Sequence, residues 1–288
     1  MEHPTIGNPP PPCPGVSAVV LQEHGKGPPF LCFPGATLSA SYLGPLARLL
    51  GDAQPFLVLR DTAWDSGANA CSFEDLVRRF VDYIRNTQPR PLGPIGGHCF
   101  GGILAFECAC RLEALGCPVP SVVLFDTAAP GYPKPLRHWM QYLKWAPRFA
   151  STLRRGTVLD AGREVIAHVQ HLSNKSPQSG SMDQSAPGSA HKAGPTTGVS
   201  LWDAAAAIMH SYVPRPFGGL VVNFMAADKP VSTRVLEDAR LGWRDFARGG
   251  FESHRVPGGH DSMFSEDHVE QLADLLRGIL RGVRHGPG

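Results

Sequence analysis

The chain has 288 residues, which suits one large domain or a domain with an insertion, and its 27 basic and 25 acidic residues give a net charge of +2 that offers no support for nucleic-acid binding. No N-terminal segment matches a signal pattern, no apolar run is long enough to cross a membrane, and seven cysteines are an odd number in a chain too long to need disulfides. We therefore expect a protein of the reducing cytoplasm that acts on neither nucleic acid nor membrane.

The first half of the chain alternates short apolar segments with amphipathic ones, after a proline-rich start. Residues 1–15 are predicted to form an extended tail or a linker, and residues 16–288 to form one domain. Strands are predicted over residues 16–21, 30–33, 56–59, 92–95 and 122–125, and helices over residues 42–50, 72–84 and 103–115. This alternation is typical of an α/β fold with a doubly wound, mostly parallel sheet, in which functional groups collect at the carboxyl ends of the strands.

Residues 96–102, with the sequence GGHCFGG, join a predicted strand to a predicted helix. The pattern G-x-C-x-G in this position indicates a nucleophile elbow, with cysteine where serine is usual. Gly97 and Gly101 leave room for the sharp turn, and Cys99 would lie at a helix N-terminus, where free N–H groups favour a thiolate and later an oxyanion. Cys99 is therefore the candidate nucleophile; a buried structural cysteine in a glycine-rich turn is the alternative.

The alternation stops at about residue 130 and resumes at about residue 216. Residues 136–149 are amphipathic, residues 164–172 and 201–212 have helical patterns, and residues 173–200 are rich in Ser, Gly and Pro and are predicted to be disordered. Because this insertion follows a strand that ends in Asp126, we interpret residues 130–216 as a helical lid over the site; an irregular surface excursion is the alternative. Beyond it we predict a strand over 220–225, a helix over 234–246, an edge strand ending at 255–256 and a helix over 268–280.

A thiol nucleophile needs a base, and the base needs a group that orients it. His260 is the candidate base because it lies in a glycine-rich loop after a strand, whereas His98 is predicted to point away from Cys99 and to pack structurally. Asp126 and Asp228 each follow a strand, and the chain order nucleophile, acid, histidine holds for both, so this order does not choose between them.

The backbone N–H groups of two further residues are candidates for an oxyanion hole. Ala36 lies in the loop after the second strand, and Phe100 directly follows Cys99. The spacing of cysteines and histidines does not match a metal-ligand set, so no metal is expected.

Five short motifs together resemble one family. They are FPGA at 33–36, GHCFGG at 97–102, LFD at 124–126, AAD at 226–228 and GGHxxM at 258–263. From about residue 16 onwards the chain resembles the α/β-hydrolase thioesterases of non-ribosomal peptide, polyketide and fatty-acid synthases. The resemblance implies the α/β-hydrolase fold, a substrate carried on the phosphopantetheine of an acyl or peptidyl carrier protein, no cofactor of its own, and Asp126 as the acid.

The chain departs from this family at position 99, where most members carry serine. The family members with cysteine include release domains that close strained four-membered lactones or lactams. A sulfur nucleophile would keep the acyl group activated as a thioester, which suits a weak second nucleophile or a strained ring. The resemblance therefore implies release of an acyl or peptidyl chain by cyclisation or hydrolysis.

Three other functions remain compatible with the sequence. The first is a stand-alone type II editing thioesterase that hydrolyses misloaded carrier proteins, and the second is a cysteine hydrolase of the dienelactone-hydrolase kind. The third is a non-catalytic binding protein with the hydrolase fold, in which Cys99 would be no more reactive than the buried cysteines.

Overall fold

A computed structural model of the chain describes residues 15–36, 39–65, 72–130, 132, 134–135, 201–228, 235–236 and 241–284. The chain divides into two units, the larger made of Met1–Pro133, Gly198–Pro230 and Glu237–Gly288 and the smaller of Lys134–Thr197 and Val231–Leu236. The predicted tail, apart from Gly15, and the part of the predicted lid over residues 136–200 lie outside the described residues.

The larger unit is built on a seven-stranded sheet. Its strands are β1 (Val16–Gln22), β2 (Phe30–Phe33), β3 (Phe56–Asp61), β4 (Ile95–His98), β5 (Ser121–Phe125), β7 (Leu220–Ala226) and β9 (Phe251–Val256). They lie in the order β1-β3-β2-β4-β5-β7-β9, and among the described neighbours in this sheet only the β1–β3 pair is antiparallel; the others are parallel. In the smaller unit, β6 (Lys134–Pro135) pairs with β8 (Val235–Leu236).

Helices cover both faces of the seven-stranded sheet, as a doubly wound sheet requires. They are α1 (Gly44–Leu50), α2 (Thr62–Asp65), α3 (Phe73–Thr87), α4 (Phe100–Ala114), α5 (Leu201–Ser211) and α6 (Val269–Arg284). Alternate residues of β2 point to opposite faces: Leu31 and Phe33 pack in the core with α3 and α4, and Phe30 and Cys32 in the core with α1 and α6. The predicted α/β architecture with a mostly parallel sheet is confirmed, as is the helix predicted over 201–212.

The prediction of a helix over residues 234–246 is wrong in its described parts. Val235 and Leu236 form a strand, and residues 241–246 form turns. Leu241 and Gly242 have φ values of 48° and 82°, in the left-handed region that a right-handed helix cannot contain. Trp243 is fully buried, and its indole N–H donates to the carbonyl of Thr127 at 2.8 Å, so tertiary packing overrides the local helical pattern.

No described helix combines the length and the apolar character that a membrane span needs.

Candidate active site

Cys99 lies at the tip of the sharp turn between β4 and α4. Its φ of 54° is unusual for a residue with a side chain, and its backbone N–H donates to the carbonyl of Phe125 at 3.2 Å. A Cβ atom added to Gly97 would collide with the backbone of Gly101 and Gly102, so the turn has no room for a side chain at position 97. The strained turn projects the Cys99 side chain from the carboxyl end of the central strand, as in a nucleophile elbow.

The loop after β2 lies directly against the first turn of α4. A Cβ atom added to Gly101 would run into the carbonyl oxygens of Phe33 and Pro34. Ala36 follows in this loop and is buried, while Phe100 is the first residue of α4 and its N–H has no acceptor within the helix. The two predicted oxyanion donors therefore belong to backbone segments that are packed together at the elbow.

Asp126 is the acid that contacts His260. Its Oδ2 atom lies 2.7 Å from Nδ1 of His260, and its Oδ1 atom accepts a hydrogen bond from the N–H of Ala226 at 3.0 Å. The Asp126 side chain is almost completely buried. Asp228 is exposed, and its backbone N–H donates to the carbonyl of Gly258. The structure thus brings Asp126, and not Asp228, to the imidazole.

His260 joins the acid to the sulfur. With Nδ1 facing Asp126, the imidazole also interacts with the Cys99 side chain. Burial of the ring disfavours its charged form, but the interactions with Asp126 and Cys99 outweigh burial and raise the pKa of His260 to about 10. The ring is therefore protonated at neutral pH.

The environment of Cys99 differs from that of the other described cysteines. Cys99 is partly exposed, whereas Cys32, Cys108, Cys110 and Cys117 are buried. Burial raises the pKa of the Cys32 and Cys108 thiols and that of Cys110 to about 12, which keeps these sulfurs protonated and inert. Among these five cysteines, Cys99 alone combines access with a histidine partner.

His98 has a position that the sequence did not predict in full. The prediction that it packs structurally agrees with its complete burial, but its Nε2 atom also lies 3.0 Å from the backbone carbonyl of His260. Its Nδ1 atom lies 3.2 Å from the hydroxyl of Tyr42. Burial, together with the neighbouring His260, lowers the pKa of His98 to about 3 against the opposing effects of the His260 carbonyl and of Asp126. His98 is therefore neutral at neutral pH.

This low pKa predicts a specific acid dependence of stability. The unfolded chain takes up a proton at His98 as the pH falls through 6.5, and the folded protein does not until about pH 3, so the stability tied to His98 is complete above pH 6.5 and is lost as the pH falls. In urea unfolding between about pH 6 and pH 4, the wild type should lose stability more steeply than His98→Asn, by about 1.4 kcal/mol per pH unit. Parallel slopes for the two proteins would contradict a neutral, buried His98.

Two stacked aromatic rings lie beside the elbow. The ring of Trp64 stacks on that of Phe100, with centroids 5.1 Å apart and planes 16° from parallel. The two rings and the loop at Gly35 and Ala36 border a small cavity of about 20 Å³, enough for a single water molecule. The two rings supply apolar surface close to the candidate oxyanion donors.

One group of described side chains has potential metal ligands close together. Atoms of His98, His260 and Asp261 lie within 4.8 Å of one another. Both ring nitrogens of His98 and Nδ1 of His260 are already hydrogen-bonded, so a cation would have to displace those bonds.

A family model described as "Thioesterase domain" matches residues 28–280 of the chain. Aspulvinone E synthetase melA of Aspergillus terreus is 27% identical over 278 residues, which cover 91% of this chain and 29% of the synthetase. Atromentin synthetase of Tapinella panuoides is 26% identical over 279 residues, which cover 91% of this chain and 28% of the synthetase. The chain therefore spans less than a third of the length of these curated relatives.

Solved structures share the fold at lower identity. The NocB thioesterase domain from the nocardicin cluster has a TM-score of 0.57 and 20% identity, with 93% of this chain and 99% of that domain covered. The thioesterase domain SrfTE, which cyclises the lipopeptide antibiotic surfactin, has a TM-score of 0.55 and 16% identity, with 94% and 98% covered. These neighbours confirm the predicted α/β-hydrolase fold.

Proposed function

The chain belongs to the thioesterase-domain family, and from that membership we propose that it releases an acyl or peptidyl chain from the phosphopantetheine thioester of a carrier protein through an intermediate on Cys99. The observation that carries this proposal is that His260 is hydrogen-bonded to Asp126 and interacts with Cys99 at the elbow. A nucleophile, a base and a group that orients the base are the parts that acyl transfer through a covalent intermediate requires.

In the first half-reaction the Cys99 thiolate attacks the carbonyl carbon of the carrier-bound thioester. The N–H groups of Ala36 and Phe100 donate to the oxyanion of the tetrahedral intermediate. The intermediate collapses when the carbon–sulfur bond to pantetheine breaks, and the departing thiolate takes the proton that His260 carries. The acyl group is then a thioester of Cys99, and His260 is neutral.

In the second half-reaction the neutral His260 accepts a proton from a second nucleophile, which attacks the Cys99 thioester. Asp126 holds Nδ1 of the ring throughout and stabilises the imidazolium that forms again. The Cys99 thiolate departs, and the charged pair of the resting enzyme is restored. Water as the second nucleophile gives a free acid, and a nucleophile within the chain gives a ring.

Sulfur at position 99 favours the cyclising outcome. The first transfer exchanges one thioester for another, so little of the activation of the acyl group is lost, whereas a serine would produce a less reactive oxoester. A retained thioester can drive attack by a weak internal nucleophile or closure of a strained lactone or lactam. We place the domain, on this basis and on the synthetases it resembles, at the release step of a multidomain assembly line.

Acylation of Cys99 and the product together test the proposal. After incubation with a panel of acyl- and peptidyl-pantetheine thioesters, we expect the protein mass to rise by the mass of the acyl group and the modified peptide to contain residue 99. Liquid chromatography with mass spectrometry should then show a ring or a free acid. Cys117→Ala, which removes a buried thiol, is the control that should still be acylated. Turnover without modification at residue 99 would refute the proposed intermediate.

A further inference from the structure

One continuous hydrogen-bonded chain links three segments around the elbow. The N–H of Gly35 lies 3.2 Å from the Tyr42 hydroxyl, and that hydroxyl lies 3.2 Å from Nδ1 of His98. Nε2 of His98 lies 3.0 Å from the carbonyl oxygen of His260. The chain thus starts one residue before Ala36, passes through the residue before Cys99 and ends on the backbone of the base.

Elementary donor and acceptor rules fix the direction of each bond. A carbonyl oxygen only accepts, so Nε2 of His98 carries the proton and donates to His260. A neutral imidazole then offers Nδ1 as an acceptor, and the Tyr42 hydroxyl donates to it. The oxygen of Tyr42 is left to accept from the N–H of Gly35. No member of the chain is left with two donors or two acceptors face to face.

The surroundings keep this arrangement rigid. His98 is fully buried, and burial raises the pKa of Tyr42, so the phenol keeps its proton. The ring of Phe264 packs edge-on against both His98 and Tyr42, with centroids 5.0 Å and 5.1 Å away. The His98 ring also lies against the His260 ring, with centroids 4.5 Å apart.

We propose that Tyr42 and His98 are positioning residues, which hold the loop of Gly35 and Ala36 and the loop of His260 at fixed places relative to Cys99. This inference rests on the proposed acyl transfer, since it assigns a purpose to the distance between the oxyanion donors, the sulfur and the base. Tyr42 acts on the Gly35 side of the chain, and His98 acts on both sides. A displacement of either loop by about 1 Å is enough to slow catalysis by up to about 100-fold.

Two reactions of Cys99 test the Gly35 end and the His260 end of this hydrogen-bonded chain separately. Acylation by a pantetheine thioester needs the sulfur, the base and the oxyanion donors, whereas alkylation by iodoacetamide forms no oxyanion and needs the sulfur and the base alone. In Tyr42→Phe the N–H of Gly35 loses its acceptor, so we expect acylation to slow about tenfold and alkylation to change less than about twofold. In His98→Asn, whose side chain is too short to reach the His260 carbonyl, we expect both reactions to slow about tenfold or more.

Two further variants distinguish positioning from a general loss of structure. His98→Gln offers an N–H donor close to the place of Nε2 and should recover much of the alkylation rate that His98→Asn loses. Tyr212→Phe is the matched control, because it also removes the hydroxyl of a half-buried tyrosine, one that donates a hydrogen bond to Glu107. It should leave both rates unchanged. Equal slowing of both reactions in Tyr42→Phe, or of neither, would overturn the proposal.

The proton positions can be observed directly in the wild-type protein. In protein labelled with ¹⁵N-histidine, nitrogen NMR should show His98 with a protonated Nε2 and an unprotonated Nδ1 at neutral pH. An imidazolium, or the opposite tautomer, would contradict the proposed direction of these hydrogen bonds. If no acylation of Cys99 is found in the wild-type protein, the proposed function is refuted. The NMR signals and the alkylation rates of the His98 variants would still decide this inference.

Discussion

Cys99→Ala is expected to lower the turnover of a carrier-bound or pantetheine thioester by about 10⁴- to 10⁶-fold. The substitution removes the atom to which the acyl group is transferred and leaves His260, Asp126 and the oxyanion donors in place. The residual rate would come from water attack on a substrate that the site still binds and polarises. Steady-state kcat/KM with one pantetheine thioester, measured for wild type and variant at the same pH, gives the ratio.

Cys99→Ser sharpens the same prediction because it keeps an attacking atom but changes its chemistry. A serine hydroxyl attacks only as His260 takes its proton, and the product of that attack is an oxoester, which is less reactive than a thioester. We expect this variant to be slower, to accumulate an oxoester, and to give a higher ratio of free acid to ring than the wild type. Wild-type turnover in Cys99→Ala would contradict the role of the sulfur, and an unchanged product ratio in Cys99→Ser would contradict the reason we give for sulfur.

The elbow and the loop of His260 could be predicted from the sequence because their geometry depends on local features. The turn at Cys99 requires glycine at position 97, where any Cβ would meet the backbone of the next helix, and a short motif records that requirement directly. The buried central strands are equally local, since a strand covered on both faces needs an uninterrupted apolar run.

Other parts of the site depend on contacts between distant residues, and no local pattern reveals them. Tyr42 and His98 are 56 positions apart, and His98 and His260 are 162 positions apart, so their hydrogen-bonded chain has no signature in spacing or periodicity. The helix predicted around Trp243 fails for a related reason, because the burial of this side chain against Thr127 is decided by the tertiary fold.

The choice between Asp126 and Asp228 also depends on the three-dimensional structure. Both follow parallel strands and precede His260 in the chain. In the structure the end of β7, the strand that leads to Asp228, supplies the N–H of Ala226 that holds Oδ1 of Asp126. The second strand therefore supports the acid of the first and does not contribute an acid of its own to the imidazole.

Asp126→Asn should consequently lower kcat/KM by about 10⁴-fold, as loss of the correct histidine tautomer does in a serine triad. The carboxylate accepts from the N–H of Ala226 and from Nδ1–H of His260, and an asparagine has one acceptor oxygen for these donors. If that oxygen stays with Ala226, the amide NH₂ faces Nδ1 and favours the tautomer in which Nε2 carries the proton. A protonated Nε2 in a neutral ring cannot accept a proton from the second nucleophile.

Asp228→Asn is the matched control, because it makes the same chemical change at an exposed carboxylate whose described hydrogen bond is made by its backbone. It should keep kcat/KM within about twofold of wild type, since surface substitutions of this kind disturb little. Thermal unfolding of both variants separates loss of catalysis from loss of structure. Loss of turnover in Asp228→Asn with turnover retained in Asp126→Asn would show that Asp228, and not Asp126, is the acid. The proposed line from Asp126 through His260 to Cys99 would then be wrong in its first residue.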